Sequence, residues 1–114
     1  MLATGYENGC FDAVVAGDVI DHMPIRQGIA TVNELARIVC PGGCVLLTMD
    51  VTDDEYESEP HTTNEDGDYL FHQGKWNGMV FHPYSVRDIE ILANDKTYEI
   101  LSADERGFIV ALNI

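Results

Sequence analysis

Two short apolar runs with one amphipathic stretch between them leave residues 11–49 few ways to fold. Phe11-Asp12-Ala13-Val14-Val15-Ala16 and Cys44-Val45-Leu46-Leu47-Thr48-Met49 are mostly apolar and do not alternate. Such runs suit strands buried on both faces, as in a parallel sheet. Between them Ile25, Ile29, Val32, Leu35, Ala36 and Val39 recur at spacings of three and four, the stripe of one helix. Pro24 fits the first helical position, and Pro41-Gly42-Gly43 is expected to stop the helix. Strand, helix and strand then make a right-handed crossover with the two strands parallel.

The rest of the chain is less uniform. Nine of the nineteen residues from Asp50 to Asp68 are Asp or Glu, without periodicity, and this stretch reads as a solvated loop. Tyr69-Leu70-Phe71-His72 and Met79-Val80-Phe81-His82 flank a turn region from Gly74 to Gly78 and predict a hairpin. Ser85 is placed to cap a short helix, with Asp88 at its third position and Val86, Ile89, Leu92 and Ala93 on its apolar side. Tyr98–Ala103 and Phe108–Asn113 are expected as antiparallel neighbours joined by Asp104-Glu105-Arg106-Gly107.

Charge narrows the partners. The 114 residues carry 20 acidic and 6 basic side chains, a net charge of −14. That field repels phosphate backbones and anionic lipid, so neither nucleic acid nor membrane is an expected partner. No apolar run approaches the roughly 18 residues needed to span a bilayer, and the first residues lack a basic and apolar leader, so a cytoplasmic location is expected. Cys10, Cys40 and Cys44, odd in number and in apolar surroundings, read as reduced thiols, with Cys40 and Cys44 as small buried hydrophobes.

Three segments in order carry a resemblance. Thr4-Gly5-Tyr6-Glu7-Asn8-Gly9-Cys10-Phe11-Asp12-Ala13-Val14-Val15 resembles the "LPFEDGSFDxVV" stretch of type 11-like methyltransferases. Asp18-Val19-Ile20-Asp21-His22 is similar to their "xVLEH", and Asn33-Glu34-Leu35-Ala36-Arg37-Ile38-Val39-Cys40-Pro41-Gly42-Gly43 to their "ExxRVLKPGG". Over residues 4 to 50 the chain thus resembles the C-terminal half of a class I S-adenosylmethionine-dependent methyltransferase domain. The resemblance implies an α/β fold, a partial Rossmann-like methyltransferase sheet of parallel core strands with an antiparallel C-terminal hairpin. The Phe11 strand would be the fourth of seven and the Cys44 strand the fifth. The last two would be the sixth and seventh, with the final strand antiparallel.

By the same resemblance the cofactor is S-adenosylmethionine and the reaction is methyl transfer, with the acceptor unread. The family's glycine-rich loop and its ribose-binding acidic residue have no counterpart in residues 1–114. The expectation is therefore one methyltransferase-like domain without the N-terminal cofactor-binding half; the alternative is a non-catalytic dimeric interaction module derived from that fold. Stripped of that half, the Phe11–Ala16 strand would present an unpaired apolar edge. It is expected to pair with a second copy as a homodimer, or with a partner chain that supplies the missing strands.

Gly17, Asp18 and His22 follow the carboxyl end of the first strand, where ligands of such sheets bind, and are the candidate cofactor-binding or substrate-facing residues. His22 either faces substrate, or steers a proton, or is a helix-entry histidine satisfied by backbone. Asp18 either contacts a cofactor or substrate amine or is a solvated turn carboxylate. Asp12, at a strand start, reads as a turn or cap partner against a catalytic alternative. No metal is expected. The stretch Asp50, Asp53, Asp54, Glu55, Glu57, Glu59 and His61 lacks calcium-loop spacing, and His61, His72 and His82 lack zinc spacing. Tyr69, Phe71, Trp76, Phe81 and Tyr84 form an aromatic group suited to hairpin packing or to covering an apolar substrate.

Overall fold

The computed structural model describes residues 3–51 and 54–114. Phe11–Gly17 (β1) runs parallel to Val39–Asp50 (β2), with Ala13 opposite Cys44 and Gly17 opposite Thr48. A 3-10 turn at Ile20–His22 leads into the helix Ile25–Ile38 (α1). This is the expected order of strand, helix and strand. Pro24 caps the helix one position earlier than anticipated. The buried side of α1 is Ile25, Thr31, Val32, Leu35 and Ile38, much of the stripe read from the spacing.

Pro41-Gly42-Gly43 does not stop the helix, which ends at Ile38. It lies inside β2 as an irregularity: Phe11 faces Val39, yet Ala13 faces Cys44. Pro has no N–H for a ladder and is tolerated at such a bulge. Gly42 takes φ +88°, open to glycine, and a Cβ on Gly43 would overlap Asp12 O and stand 2.5 Å from Val39 Cγ1.

The chain continues through Asp54–Ser58 (α2), His61–Thr63 (β3), Tyr69–Phe71 (β4), Val80–Phe81 (β5), Val86–Ala93 (α3), Thr97–Ala103 (β6) and Gly107–Asn113 (β7). One sheet has the order β1-β2-β7-β6, with β7 antiparallel to both neighbours. A second sheet, β3-β4-β5, is antiparallel and contains the expected hairpin. Ser85 caps α3 in a full capping box with Asp88. The core joins Val45, Leu47, Met49, Val110 and Leu112 of the large sheet to Val32 and Leu35 of α1 and Ile89 and Leu92 of α3.

Three expectations need correction. The Asp50–Asp68 stretch is not one solvated loop: Asp50 closes β2, Asp54–Ser58 is helical, and His61–Thr63 pairs with β4. Asn64 Oδ1 accepts the N–H groups of Asp66 and Asp68, and the resulting turn carries Asp68 inward until it is 1% exposed. Next, β1 is not buried on both faces. Among the described residues its outer edge has no strand partner, and Val15 is 68% exposed. Finally, all three cysteines are free, but Cys10 is exposed and Cys40 and Cys44 are only half-buried. Cys40 Sγ–H donates to Asp12 Oδ1 at 3.5 Å, and burial together with that carboxylate pushes the thiol above its usual range. Asp12 is thus the thiol's partner at the start of β1.

Glu34 and Arg37, two residues that carry the family resemblance, tie residues 4–8 to α1. Thr4 donates its N–H and its hydroxyl to Glu34 Oε2, each at 2.8 Å, and Arg37 donates to both oxygens of Glu34, to Asn8 Oδ1 and to Tyr6 O. The Arg37 bonds, then those from Thr4, hold the Glu34 carboxyl down at about 2. A lowered folded-state value means a contribution fully present above the unfolded value of about 4.3 and lost as pH falls toward the folded one. Glu34→Gln is therefore expected to lower the urea midpoint at neutral pH. The gap to wild type should narrow steadily between about pH 5 and pH 2 in matched titrations.

Candidate functional site

The carboxyl ends of β1 and β2 lie side by side and bring three carboxylates together. Gly17 ends β1 opposite Thr48, and Asp18 follows in the left-handed region at φ 54°, which Asp tolerates better than most side chains. Thr48 fixes it: Thr48 Oγ1 accepts the Asp18 N–H at 2.9 Å and donates to Asp18 Oδ1 at 3.1 Å. The side chain of Asp18 is exposed at the mouth of this end.

Three residues on, the 3-10 turn drives Asp21 into the interior, where it is 0% exposed. Its backbone oxygen accepts the His82 N–H at 2.8 Å, and its Oδ2 accepts the Asp50 N–H at 3.0 Å. Its other oxygen, Oδ1, is buried with no hydrogen-bond partner. Burial pushes the Asp21 carboxyl up, and the charge of Asp18 adds to that; the Asp50 N–H and His22 act against it without cancelling it. One carboxylate oxygen from each of Asp18, Asp21 and Asp50 lies within 4.8 Å of the others. Beside them a cleft of about 290 Å³ is bordered by Asp18, Thr48, Asp50, Ser102, Arg106 and Phe108.

His22 is exposed on the same turn, its N–H donating to Val19 O at 3.2 Å and its ring 5.9 Å from that of Phe81. Gly17, Asp18 and His22 thus share one end of the sheet. The sequence reading missed Asp21 as a site residue, although it stands inside the quoted Asp18–His22 motif. Its three-residue spacing from Asp18 was the available signal; only the fold shows that one carboxylate goes out and the other in.

The acidic stretch does not act as one group. Asp50 belongs to the strand-end cluster, and Glu57 accepts the Tyr69 hydroxyl at 2.7 Å. Asp53 and the side chains of Asp54 and Glu55 lie outside the described residues. The three histidines have separate partners: Glu59 O for His61, Thr62 for His72 and Asp68 for His82.

The His82–Asp68 pair is itself buried, Nδ1 to Oδ1 at 2.7 Å. Burial raises the Asp68 carboxyl, but donation from Asn64, from the Ile25 N–H and from His82 outweighs it and holds the group below its usual value. Of the aromatic group, Phe71, Trp76 and Phe81 cluster around Tyr56, which stacks on Phe81 at 4.1 Å, and Tyr69 packs edge-on against Phe71 and Phe81. Tyr84 leaves the cluster to pack against His82. Its hydroxyl is pushed up by burial and then by the charges of Asp21, Asp88 and Asp68.

No protein-family model matches the sequence, and no curated protein matches it. Solved structures do. A SAM-dependent methyltransferase from Methanosarcina mazei superposes on 98% of the chain with a TM-score of 0.68 at 16% identity. A protein of Pyrococcus horikoshii OT3 superposes on 96% with a TM-score of 0.69 at 15% identity. The chain has the methyltransferase fold. It spans 63% and 54% of the lengths of these two proteins. As anticipated, β1 and β2 are adjacent and parallel in the sheet, and the last strand, β7, is antiparallel to its neighbours. No helix among the described residues is long and apolar enough to cross a membrane.

Proposed function

We propose that the chain carries the substrate-side part of an S-adenosylmethionine-dependent methyltransferase site, centred on Asp18 and His22. The observation that supports this reading is an anchored, exposed carboxylate at the carboxyl end of a parallel strand pair, in a chain of methyltransferase fold. The residues present fit one side of the cofactor. Gly17 adds no side chain there, and a Cβ on it would meet only Thr48 Oγ1, at 3.7 Å, so the strand end is open to a flat ligand. No glycine-rich loop is readable in the sequence, so the opposite wall is not assigned to these residues.

When bound, the cofactor supplies an electrophilic methyl group on a sulfonium sulfur. The chain's contribution is position. Asp18 presents a fixed acceptor to an N–H or O–H donor of the cofactor or of the methyl acceptor, and Thr48 prevents it from swinging away. His22, on its Phe81 support, offers a ring nitrogen to orient the acceptor or take its proton. Calorimetric titration with S-adenosylhomocysteine tests this. A saturable heat that Asp18→Ala removes is the expected result; no heat and no thermal shift at millimolar ligand rules out a working cofactor site in this chain.

A second reading rests on a different observation, the open edge of β1 with its exposed Val15 and the apolar groove of Phe11, Val15, Val19 and Leu35 beside it. An edge of that kind pairs with another strand. Pairing with a second copy across a two-fold axis gives a homodimeric, non-catalytic module; pairing with strands of a partner chain completes a methyltransferase sheet. Light scattering that finds a monomer at micromolar concentration removes the homodimer.

A further inference from the structure

We propose that the methyl acceptor is a small zwitterion whose carboxylate docks on Arg106, in the cleft beside the ends of β2, β6 and β7, while its ammonium group faces Asp18. The inference rests on the methyltransferase reading for the ligand's role, and on the cleft alone for the ligand's charge pattern.

Arg106 is the starting point. With 20 acidic side chains against 6 basic ones, a cation without a carboxylate partner is the exception in this chain. Arg26 pairs with Asp66, Arg37 with Glu34 and Lys96 with Asp95. Among the described residues the Arg106 guanidinium has no ion-pair partner. Its main chain is pinned from both sides. The Arg106 N–H donates to Asp104 Oδ1 at 2.8 Å, and Arg106 O accepts the Val51 N–H at 3.1 Å. Asp104 Oδ1 also accepts the Gly107 N–H at 3.2 Å, so that oxygen serves the turn. The result is a fixed residue with an unspent guanidinium, exposed on the border of the cleft next to a second donor, the Ser102 hydroxyl. A guanidinium fork takes a carboxylate through two parallel hydrogen bonds.

The strand register sets the span. Asp18 follows β1 and is bonded to Thr48 of β2; Ile109 of β7 stands opposite Thr48, and Arg106 immediately precedes β7. Asp18 and Arg106 thus lie two strand spacings apart across the sheet, about 10 Å at the main chain. Both border the one cleft of about 290 Å³, at the small end of ligand clefts, with Phe108 and Ile109 as apolar lining. Two side chains take up part of that span, and a ligand of a few carbon atoms fills the rest. A simple anion meets the field of a chain of net charge −14, and a simple cation leaves Arg106 unmet; a zwitterion answers both. On transfer the ammonium group first gives up a proton, the N–C bond forms as the S–C bond breaks, and a neutral thioether leaves. His22, on the turn that follows Asp18, is placed to take that proton.

The test is titration of the whole chain with γ-aminobutyrate, butylamine and butyrate, followed by NMR amide shifts. We expect saturable shifts around Asp18, Thr48, Ser102 and Gly107 with γ-aminobutyrate, and binding about tenfold or more weaker for each half-charged probe. Arg106→Gln should bring γ-aminobutyrate down to the level of butylamine and leave butylamine unchanged. Arg87→Gln, which alters an exposed residue of α3, should bind as wild type does. Equal binding of the three probes, or none, overturns the proposal, and so does an Arg106→Gln protein that binds γ-aminobutyrate as wild type does. The wild-type comparison needs no variant to fold. S-adenosylhomocysteine is added last. If it displaces γ-aminobutyrate, the cleft takes the cofactor's own amino-acid end and the acceptor assignment falls. If γ-aminobutyrate binds and S-adenosylhomocysteine does not, the methyltransferase reading fails and takes the acceptor role with it, while the charge pattern of the cleft stands.

Discussion

Asp68→Ala will lower the stability of the protein by about 3–5 kcal/mol in urea unfolding, because it removes the acceptor of several buried donors at about 1–3 kcal/mol each. The residue looks unremarkable in sequence, the last acid of an acid-rich stretch. In the fold its Oδ1 accepts the Ile25 N–H at 2.9 Å and bonds His82 Nδ1 at 2.7 Å, and its Oδ2 accepts Asn64 Nδ2 at 2.9 Å. Truncation leaves the buried Ile25 N–H and His82 Nδ1 without this partner and releases the half-buried Asn64 amide. It also uncouples three parts of the site: the first turn of α1, the Asn64–Asp68 turn, and the His82 that donates its backbone N–H to Asp21. Asp68→Asn, which keeps an acceptor, should cost clearly less. Equal losses for the two variants would mean that packing, and not the polar network, is what Asp68 contributes.

Gly107→Ala is expected to cost about 3 kcal/mol or more, at the upper end of overpacking penalties. A Cβ there would overlap Met49 O and stand 3.0 Å from Asp50 Cα, all main chain of the adjoining strand that no rotamer change can move. Gly78→Ala is the contrast. No atom lies within 4 Å of its Cβ position, and only its φ of +85° is unfavourable, so a loss of about 1 kcal/mol is expected. Because Gly107 pairs with Asp50, the first substitution should also displace Asp50 and loosen the hydrogen bond from its N–H to Asp21. A Gly107→Ala protein as stable as Gly78→Ala would show that the two strands can separate locally at little cost.

Much of the fold was legible because its signals are local. The three- and four-residue spacing from Ile25 to Val39 makes a helix whatever surrounds it, and Ser85 with Asp88 marks a helix start by chemistry confined to one turn. Pro41-Gly42-Gly43 misled because the same residues serve either to end a helix or to bulge a strand, and only the Asp12 backbone opposite Gly43 decides between them. Asp68 was hidden for a related reason. Its neighbours in sequence are solvated acids, while its partners, Ile25 and His82, are far along the chain.

The candidate site was half legible. Gly17, Asp18 and His22 follow from where ligands meet parallel strands. Asp21 and Asp50 become part of the same site only once the register sets Gly17 against Thr48, a long-range fact that no short motif contains.

The position of β7 has a consequence for folding. Among the described strands it comes last in sequence, yet it lies between β2 and β6 and joins them in the sheet. Until residues 107–113 dock, β2 has no neighbour on that side and β6 is not joined to it. A chain caught in that state exposes an open ladder on each side of the gap. Holdase chaperones and aggregation should therefore compete for this late intermediate, more than for earlier ones.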